Sequence, residues 1–195
     1  MSDTSRVATP TIAQAIEACT AGDTSAFNLI YETYLTTVFQ YILHMCGDYS
    51  EAEDITVETL VKAWSALPTY SGGEAAMKTW LLRIAHNHVV DALRRRRTDP
   101  IPLSVYEGDI PSESGNGPQN TAERRLMTRQ VLKLMGGLPT QQRHVMVLKF
   151  IHGLETHEVS AITGQKDSAI RIAQMRALQT LRSRLLSGLE VQDAR

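Results

Sequence analysis

The sequence predicts an all-α protein built as two helical domains joined by a flexible linker. Three observations carry that expectation. Apolar residues recur at spacings of three and four along most of the chain, cap and stop residues bracket each run, and one proline-rich interval breaks the pattern in the middle. No segment shows the strict alternation expected of a half-buried strand.

The first helix is expected over 11–21, ending near Gly22. Asp23 to Ser25 then supply a cap for a second helix, whose apolar face runs Phe27, Ile30, Tyr31, Tyr34, Val38, Ile42 and Met45 before Gly47 stops it. Ser50 and Glu53 have the spacing of a capping box, in which each side chain satisfies an amide left open at a helix start. The helix they open continues to about Leu67, where Pro68 ends it. The turn-rich TYSGG follows, and a fourth helix is expected over 75–97.

Residues 98–120 hold four of the seven prolines and three glycines, with no helical period, and are expected to be the linker. A structureless loop of that length inside one compact domain would be unusual, so the boundaries fall at 1–97, 98–120 and 121–195. Beyond it, Asn120 or Thr121 caps a helix to about Met135, which Gly136 and Gly137 stop. Pro139 suits the first turn of the next helix, terminated by Gly153. Thr156 caps a short helix, Gly164 makes a turn, and Asp167 or Ser168 caps a last helix to about Leu186.

The net charge of −1 conceals an uneven distribution. Residues 1–97 carry eight Lys/Arg against eleven Asp/Glu, 98–120 carry none against four, and 121–195 carry twelve against six. A cationic C-terminal block beside a mixed N-terminal one suggests one part facing nucleic acid and another facing protein. Cys19 and Cys46 are too few for a disulfide framework, so a reducing cytoplasm is expected. No apolar run approaches the ~18 residues of a membrane span, and MSDTSRVATP has no signal-peptide core. Catalysis has little to stand on. HGLETHE brings His152, His157 and Glu158 together without the H-E-x-x-H pattern, and His86 and His88 lie two apart on a helix, pointing different ways. No catalytic residue, metal site, cofactor or small-molecule substrate is expected.

Residues 154–186 have helix-turn-helix logic, a short helix followed by a glycine turn and a longer helix. In the longer helix Ile170, Ala173, Ala177, Leu178, Leu181 and Leu185 make one apolar stripe, with Ser168, Arg171 and Met175 off it. Such a helix offers its N-terminal end to the major groove, where base edges are distinguishable. Lys166, Arg176 and Arg182 suit contacts to the DNA backbone. By spacing alone, an amphipathic hairpin with solvated charges is the alternative. In the N-terminal half, Trp80, Ile84, Val89, Val90 and Leu93 are expected to face a core, while Arg83, His86, Asn87 and Arg94 to Arg97 supply polar and cationic groups. The preceding loop, with Tyr70 and Ser71, is of a kind that can cradle an unstacked base. On helix 50–67, Asp54, Glu58 and Lys62 follow at intervals of four, and this acidic stripe suits a protein partner or plain solvation.

These residues resemble a known family. AEDITVETLVKAW, residues 52–64, is similar to the polymerase-binding helix of sigma region 2, and MKTWLLRIAHNHVVDALRRRR, residues 77–97, to the segment from region 2.3 into 2.4. Residues 138–182 resemble sigma region 4. In order and spacing the chain looks like the extracytoplasmic-function (ECF) group of the bacterial sigma-70 family, from about Ala26 to Leu186. The resemblance implies a promoter-specificity factor working with core RNA polymerase, through the β′ clamp and β flap, and held by an anti-sigma factor. It implies polymerase binding by Asp54, Glu58 and Lys62, and −10 DNA contacts by Tyr70, Ser71, Arg83, His86, Asn87, Arg94 and Arg95. It implies −35 DNA contacts by Lys166, Ser168, Arg171 and Arg176. Val57, Leu60 and Met77 depart from the family's usual Gln, Phe and Phe, and Glu74-Ala75-Ala76 replaces more polar residues. A stand-alone helix-turn-helix regulator and a helical interaction module are the competing expectations.

Overall fold

The computed structural model describes residues 10–95 and 130–192, with side chains through Leu186. The expected linker, the cap at Asn120 or Thr121 and the cations Arg96 and Arg97 lie outside the described residues. Every regular element among the described residues is helical.

Local chemistry sets the boundaries. Helix α1 (Ile12–Thr20) opens on a reciprocal box, in which the Thr11 hydroxyl accepts from the Gln14 amide at 3.3 Å and Gln14 Oε1 accepts from the Thr11 amide at 2.9 Å. The Asp23 carboxylate accepts from the Ser25 amide at 3.0 Å and caps a short 3₁₀ turn leading into α2 (Phe27–Cys46). Gly47, at φ 71°, closes α2 in the left-handed conformation that glycine adopts without penalty. Helix α3 (Tyr49–Ala66) then starts earlier than the Ser50–Glu53 spacing predicts. Asp48 is its cap, accepting from the Glu51 amide at 2.8 Å, so Ser50 already lies inside the first turn. A 3₁₀ turn with Pro68 follows, then α4 (Glu74–Arg95).

In the C-terminal half, residues 130–136 are helical. Pro139 precedes α5 (Thr140–Met146) as its N-cap rather than entering the first turn, because its ψ of 141° is extended. Helix α5 runs on as a π-helical turn, Val147–Ile151. Helix α6 (Thr156–Thr163) is capped by a Glu155–Glu158 box, not by Thr156, whose hydroxyl instead accepts from Lys149 Nζ at 3.1 Å. Helix α7 (Asp167–Gln192) extends past Leu186. Its first bond, from the Ile170 amide to the Lys166 carbonyl, makes Lys166 the cap residue and Asp167 the first helical one.

The two halves close on one another around a single apolar cluster, in which Tyr41, Ile42 and Met45 of α2 join Leu81 and Val89 of α4, Leu138, Leu148, Val159 and Ile170. Helix α4 is shared, packing on α2 and α3 and also on α6. Lys78 Nζ donates to the His152 carbonyl at 2.9 Å, and Thr79 Oγ1 to Glu158 Oε1 at 3.3 Å. Arg143 is buried and spans the junction, donating to the Met45 carbonyl at 3.2 Å and the Leu138 carbonyl at 3.1 Å. Met45 lies in the last turn of α2, where carbonyls lack intrahelical partners and the dipole favours a cation.

Some predicted core positions lie outside. Tyr31 is exposed on α2, and Leu178 and Leu185 on α7, where Ile170, Ala173, Ala177 and Leu181 form the buried stripe. The 3.6-residue period turns Leu178 and Leu185 towards the flank of that stripe. On α4 the most buried side chains are Met77, Leu81, Leu82, Ala85, Val89 and Ala92, while Trp80, Ile84, Val90 and Leu93 are half-buried.

Replacing Arg143 with Met keeps the aliphatic stem and removes the donors to two carbonyls at the junction. R143M is expected to lower stability by about 2–3 kcal/mol in urea denaturation followed by far-UV circular dichroism.

Candidate nucleic-acid and protein interfaces

On α3, Asp54, Glu58 and Lys62 are all exposed and share the polar stripe expected of them. Glu58 Oε2 lies 3.7 Å from His88 Nδ1 of α4, at the edge of the stripe nearest the neighbouring helix. Beside it, sequence reasoning missed a second stripe. Val57, Val61 and Trp64, at i, i+4 and i+7, are 62%, 56% and 47% exposed. Three large apolar groups beside carboxylates are costly to leave in water and suit a protein partner. Their spacing was the available signal.

The loop before α4 is tightly organised. Tyr70 packs its ring on Trp80, centroids 4.8 Å apart and planes at 48°, and its hydroxyl donates to the Gly73 carbonyl at 2.8 Å. A Cβ at Gly72 would fall on the Tyr70 hydroxyl, so any side chain there must displace the tyrosine ring. Burial first, and then the nearby Tyr34, raise the Tyr70 phenol above its ordinary pKa. Ser71 beside it is exposed, as are Arg83, Asn87, Arg94 and Arg95 along α4. Arg94 Nη1 lies 3.8 Å from Asp91 Oδ1, an exposed pair of little energetic weight.

His86 is placed differently from its neighbours. It is 9% exposed, and its Nδ1 lies 3.0 Å from the Tyr41 hydroxyl, which also lies 2.8 Å from His144 Nδ1. Burial pushes the His86 pKa down to about 4. In this arrangement His86 faces the junction of the halves, and any DNA contact by it requires the junction to open.

In the C-terminal half, Lys166, Ser168, Arg171 and Arg176 are exposed around the first turns of α7, joined by Ile172 and Met175. A shallow cleft between α5 and α7 is lined by Gln141, Gln142, Ala169, Ile172, Ala173 and Arg176. Gly164, at φ 69°, makes the turn that angles α6 against α7. No group of three or more potential metal ligands occurs among the described residues, and Cys19 and Cys46 are buried free thiols. No described helix is long and apolar enough to cross a membrane.

Two helical units, one ending in a helix-turn-helix with a cationic outer face and the other exposing a separate acidic-apolar face, define a helix-turn-helix protein of the DNA-binding class. The order of its parts is specific. Residues 30–98 match sigma-70 region 2, and residues 128–181 match sigma-70 region 4. The chain belongs to the sigma-70 family, within its ECF group.

It is 31% identical over 173 residues to the ECF RNA polymerase sigma factor BldN of Streptomyces coelicolor, covering 88% of this chain but only 64% of that protein. It is 26% identical to the ECF sigma factor SigX of Bacillus subtilis, covering 82% of this chain and 83% of that one. In fold it is similar to CnrH, solved with the cytosolic domain of CnrY, with TM-score 0.64, 23% identity, and coverage of 89% of this chain and 96% of that one. It is likewise similar to RpoE of Bartonella quintana, solved with the anti-sigma factor NepR, with TM-score 0.62, 20% identity, and coverage of 82% and 96%.

Gly72→Ala is expected to displace Tyr70 from Trp80, weakening the near-UV circular dichroism band and costing about 1 kcal/mol of stability. Gly73→Ala, where an added Cβ meets open space, is expected to leave both unchanged.

Proposed function

We propose that the chain is a promoter-specificity factor of core RNA polymerase, regulated by an anti-sigma factor and working in the cytoplasm without catalysis or cofactor of its own. The observation that carries this reading is the collinear pair of sigma-70 regions 2 and 4 on one chain. The curated relatives are named as RNA polymerase sigma factors, and RpoE of Bartonella quintana is described with its anti-sigma factor.

Under this reading the domains are 1–97 and 121–195, with 98–120 between them. Asp54, Glu58 and Lys62, joined by Val57, Val61 and Trp64, dock on the β′ clamp. Apolar contact at the centre of such a patch supplies affinity, while the charges set register and encounter rate. The β flap is the contact for the C-terminal domain.

The Tyr70–Gly73 loop and the outer face of α4 address the −10 element. Tyr70 and Ser71 line the loop, and Arg83, Asn87, Arg94 and Arg95 meet the strand, joined by His86 once the junction opens. Capture of an unstacked base there offsets the few kcal/mol that unstacking costs. The start of α7 addresses the −35 element. Ser168 and Arg171 are placed for base edges and Lys166 and Arg176 for phosphates, because the first turn of a recognition helix enters the groove first.

Purified core polymerase supplemented with the protein is expected to start transcripts at discrete sites on genomic fragments, read by run-off sequencing. Absence of any specific start would overturn the proposal. Arg171→Ala is expected to lower initiation at −35-dependent promoters by about tenfold, equivalent to one base contact of 1–3 kcal/mol. Val61→Asp is expected to weaken binding to core polymerase by tenfold or more, measured by fluorescence titration.

A further inference from the structure

We propose that the junction between the two halves is an acid-released latch, in which the buried imidazoles of His86, His144 and His152 around Tyr41 hold the molecule closed only while they are uncharged. The latch rests on the geometry of the junction, and the proposed function bears only on what opening serves.

The three rings come from three elements, α4, α5 and the turn after the π-helical segment, and meet the α2 side chain Tyr41, which is fully buried. The His86 and His144 centroids are 4.5 Å apart at 69°, and His152 lies edge-on to Tyr41 at 6.0 Å. A hydroxyl has one proton. Tyr41 therefore donates to one Nδ1 and accepts from the other, which fixes one imidazole with its proton on Nδ1 and the other with an acceptor there. The Tyr41–His86–His144 chain is satisfied at the hydroxyl and both Nδ1 atoms with every group neutral.

Further protons have nowhere favourable to go. His144 Nε2 and both ring nitrogens of His152 make no hydrogen bond among the described residues. The charged groups facing the rings are the cations Arg143 from α5 and Lys78 from α4. From α2 the junction receives Tyr41, His44 and Cys46, with His44 also buried and its Nδ1 2.5 Å from the Gln40 carbonyl. From α6 comes Glu158, at the edge, where it accepts from Thr79 of α4 and from the Glu155 amide. Glu58 of α3 lies instead beside His88, with Oε2 3.7 Å from Nδ1. Two imidazolium rings at the His86–His144 separation would repel in a site with little water.

Burial is the leading cause that depresses all of these rings. His86 is held at about 4 and His152 at about 3, His152 helped by Lys78 and His44, while His144 is held well below the usual value by burial, His86 and Arg143. Opening returns each ring to the solvated value of about 6.5. The open form therefore binds more protons below that pH, and closure weakens as pH falls through about 6.5. One unit lower, each released ring shifts the closed-to-open ratio about tenfold towards open. Above about pH 7.5 the rings are neutral in both forms and no longer influence the ratio.

The test is small-angle X-ray scattering of the full chain from about pH 8 to about pH 5.5, with far-UV circular dichroism on the same samples. The expected result is a rise in radius of gyration below about pH 6.5 with helicity unchanged. H144N and H152N, which keep polar size but cannot take a proton, are expected in combination to shift the transition to lower pH or abolish it. Y41F, which removes the bridging hydroxyl, is expected to open at higher pH than the parent. A constant radius across the range, loss of helicity together with expansion, or an unshifted transition in H144N/H152N overturns the latch. None of these measurements involves polymerase, so failure of the latch and failure of the sigma-factor reading are separable.

Discussion

Much of the structure depends on one hydroxyl. Tyr41 sits near the end of α2 at full burial, and its hydroxyl bridges an imidazole of α4 and one of α5, donating to one and accepting from the other. A buried polar group without a partner costs about as much as several methylene contacts gain, so the three helices must keep the register that satisfies it. Arg143 enforces the same register one turn away by holding the Met45 carbonyl of α2 and the Leu138 carbonyl of the loop before α5 together. Apolar packing pulls the halves together, and this small polar seam determines how they meet. Buried hydrogen bonds specify geometry in this way because each is stronger at low dielectric and costly to leave unmade.

The architecture was largely legible in the sequence because its punctuation is strong. Gly47 and Gly164 fell where the chain needs a positive φ, and Pro68 fell where α3 gives way to a 3₁₀ turn. The errors lie at caps, where neighbouring residues compete. Asp48 displaced Ser50 because it stands immediately after the Gly47 stop, and Glu155 displaced Thr156 because Glu158 reaches back to it in a reciprocal box. Periodicity also named α7's stripe one flank too wide, taking in Leu178 and Leu185.

The candidate faces were legible to different degrees. Charges at intervals of four on α3 marked a surface that the structure leaves exposed, and the polar residues at the start of α7 are outside as their spacing requires. His86 could not be read correctly from local pattern. Its partners, Tyr41 and His144, are 45 and 58 positions away in the sequence, and a histidine between Ala85 and Asn87 carries no mark of burial. The organisation of the Tyr70 loop was equally invisible, since it depends on how Tyr70 folds back over Gly72.

Helix α4 belongs to both halves at once, and that sharing has a consequence for reach. Closure covers His86 but leaves Arg83, Asn87 and the start of α7 in solvent, so it removes little of the chemistry proposed to face DNA. A globule of about 150 residues is only about 40 Å across. Promoter elements centred about 25 base pairs apart are separated by about 85 Å of duplex. Under the sigma-factor reading, the closed molecule has both reading heads exposed yet is too short a ruler to lay them on one promoter. Its restraint is a matter of span, relieved when α6 leaves α4 and without refolding either head.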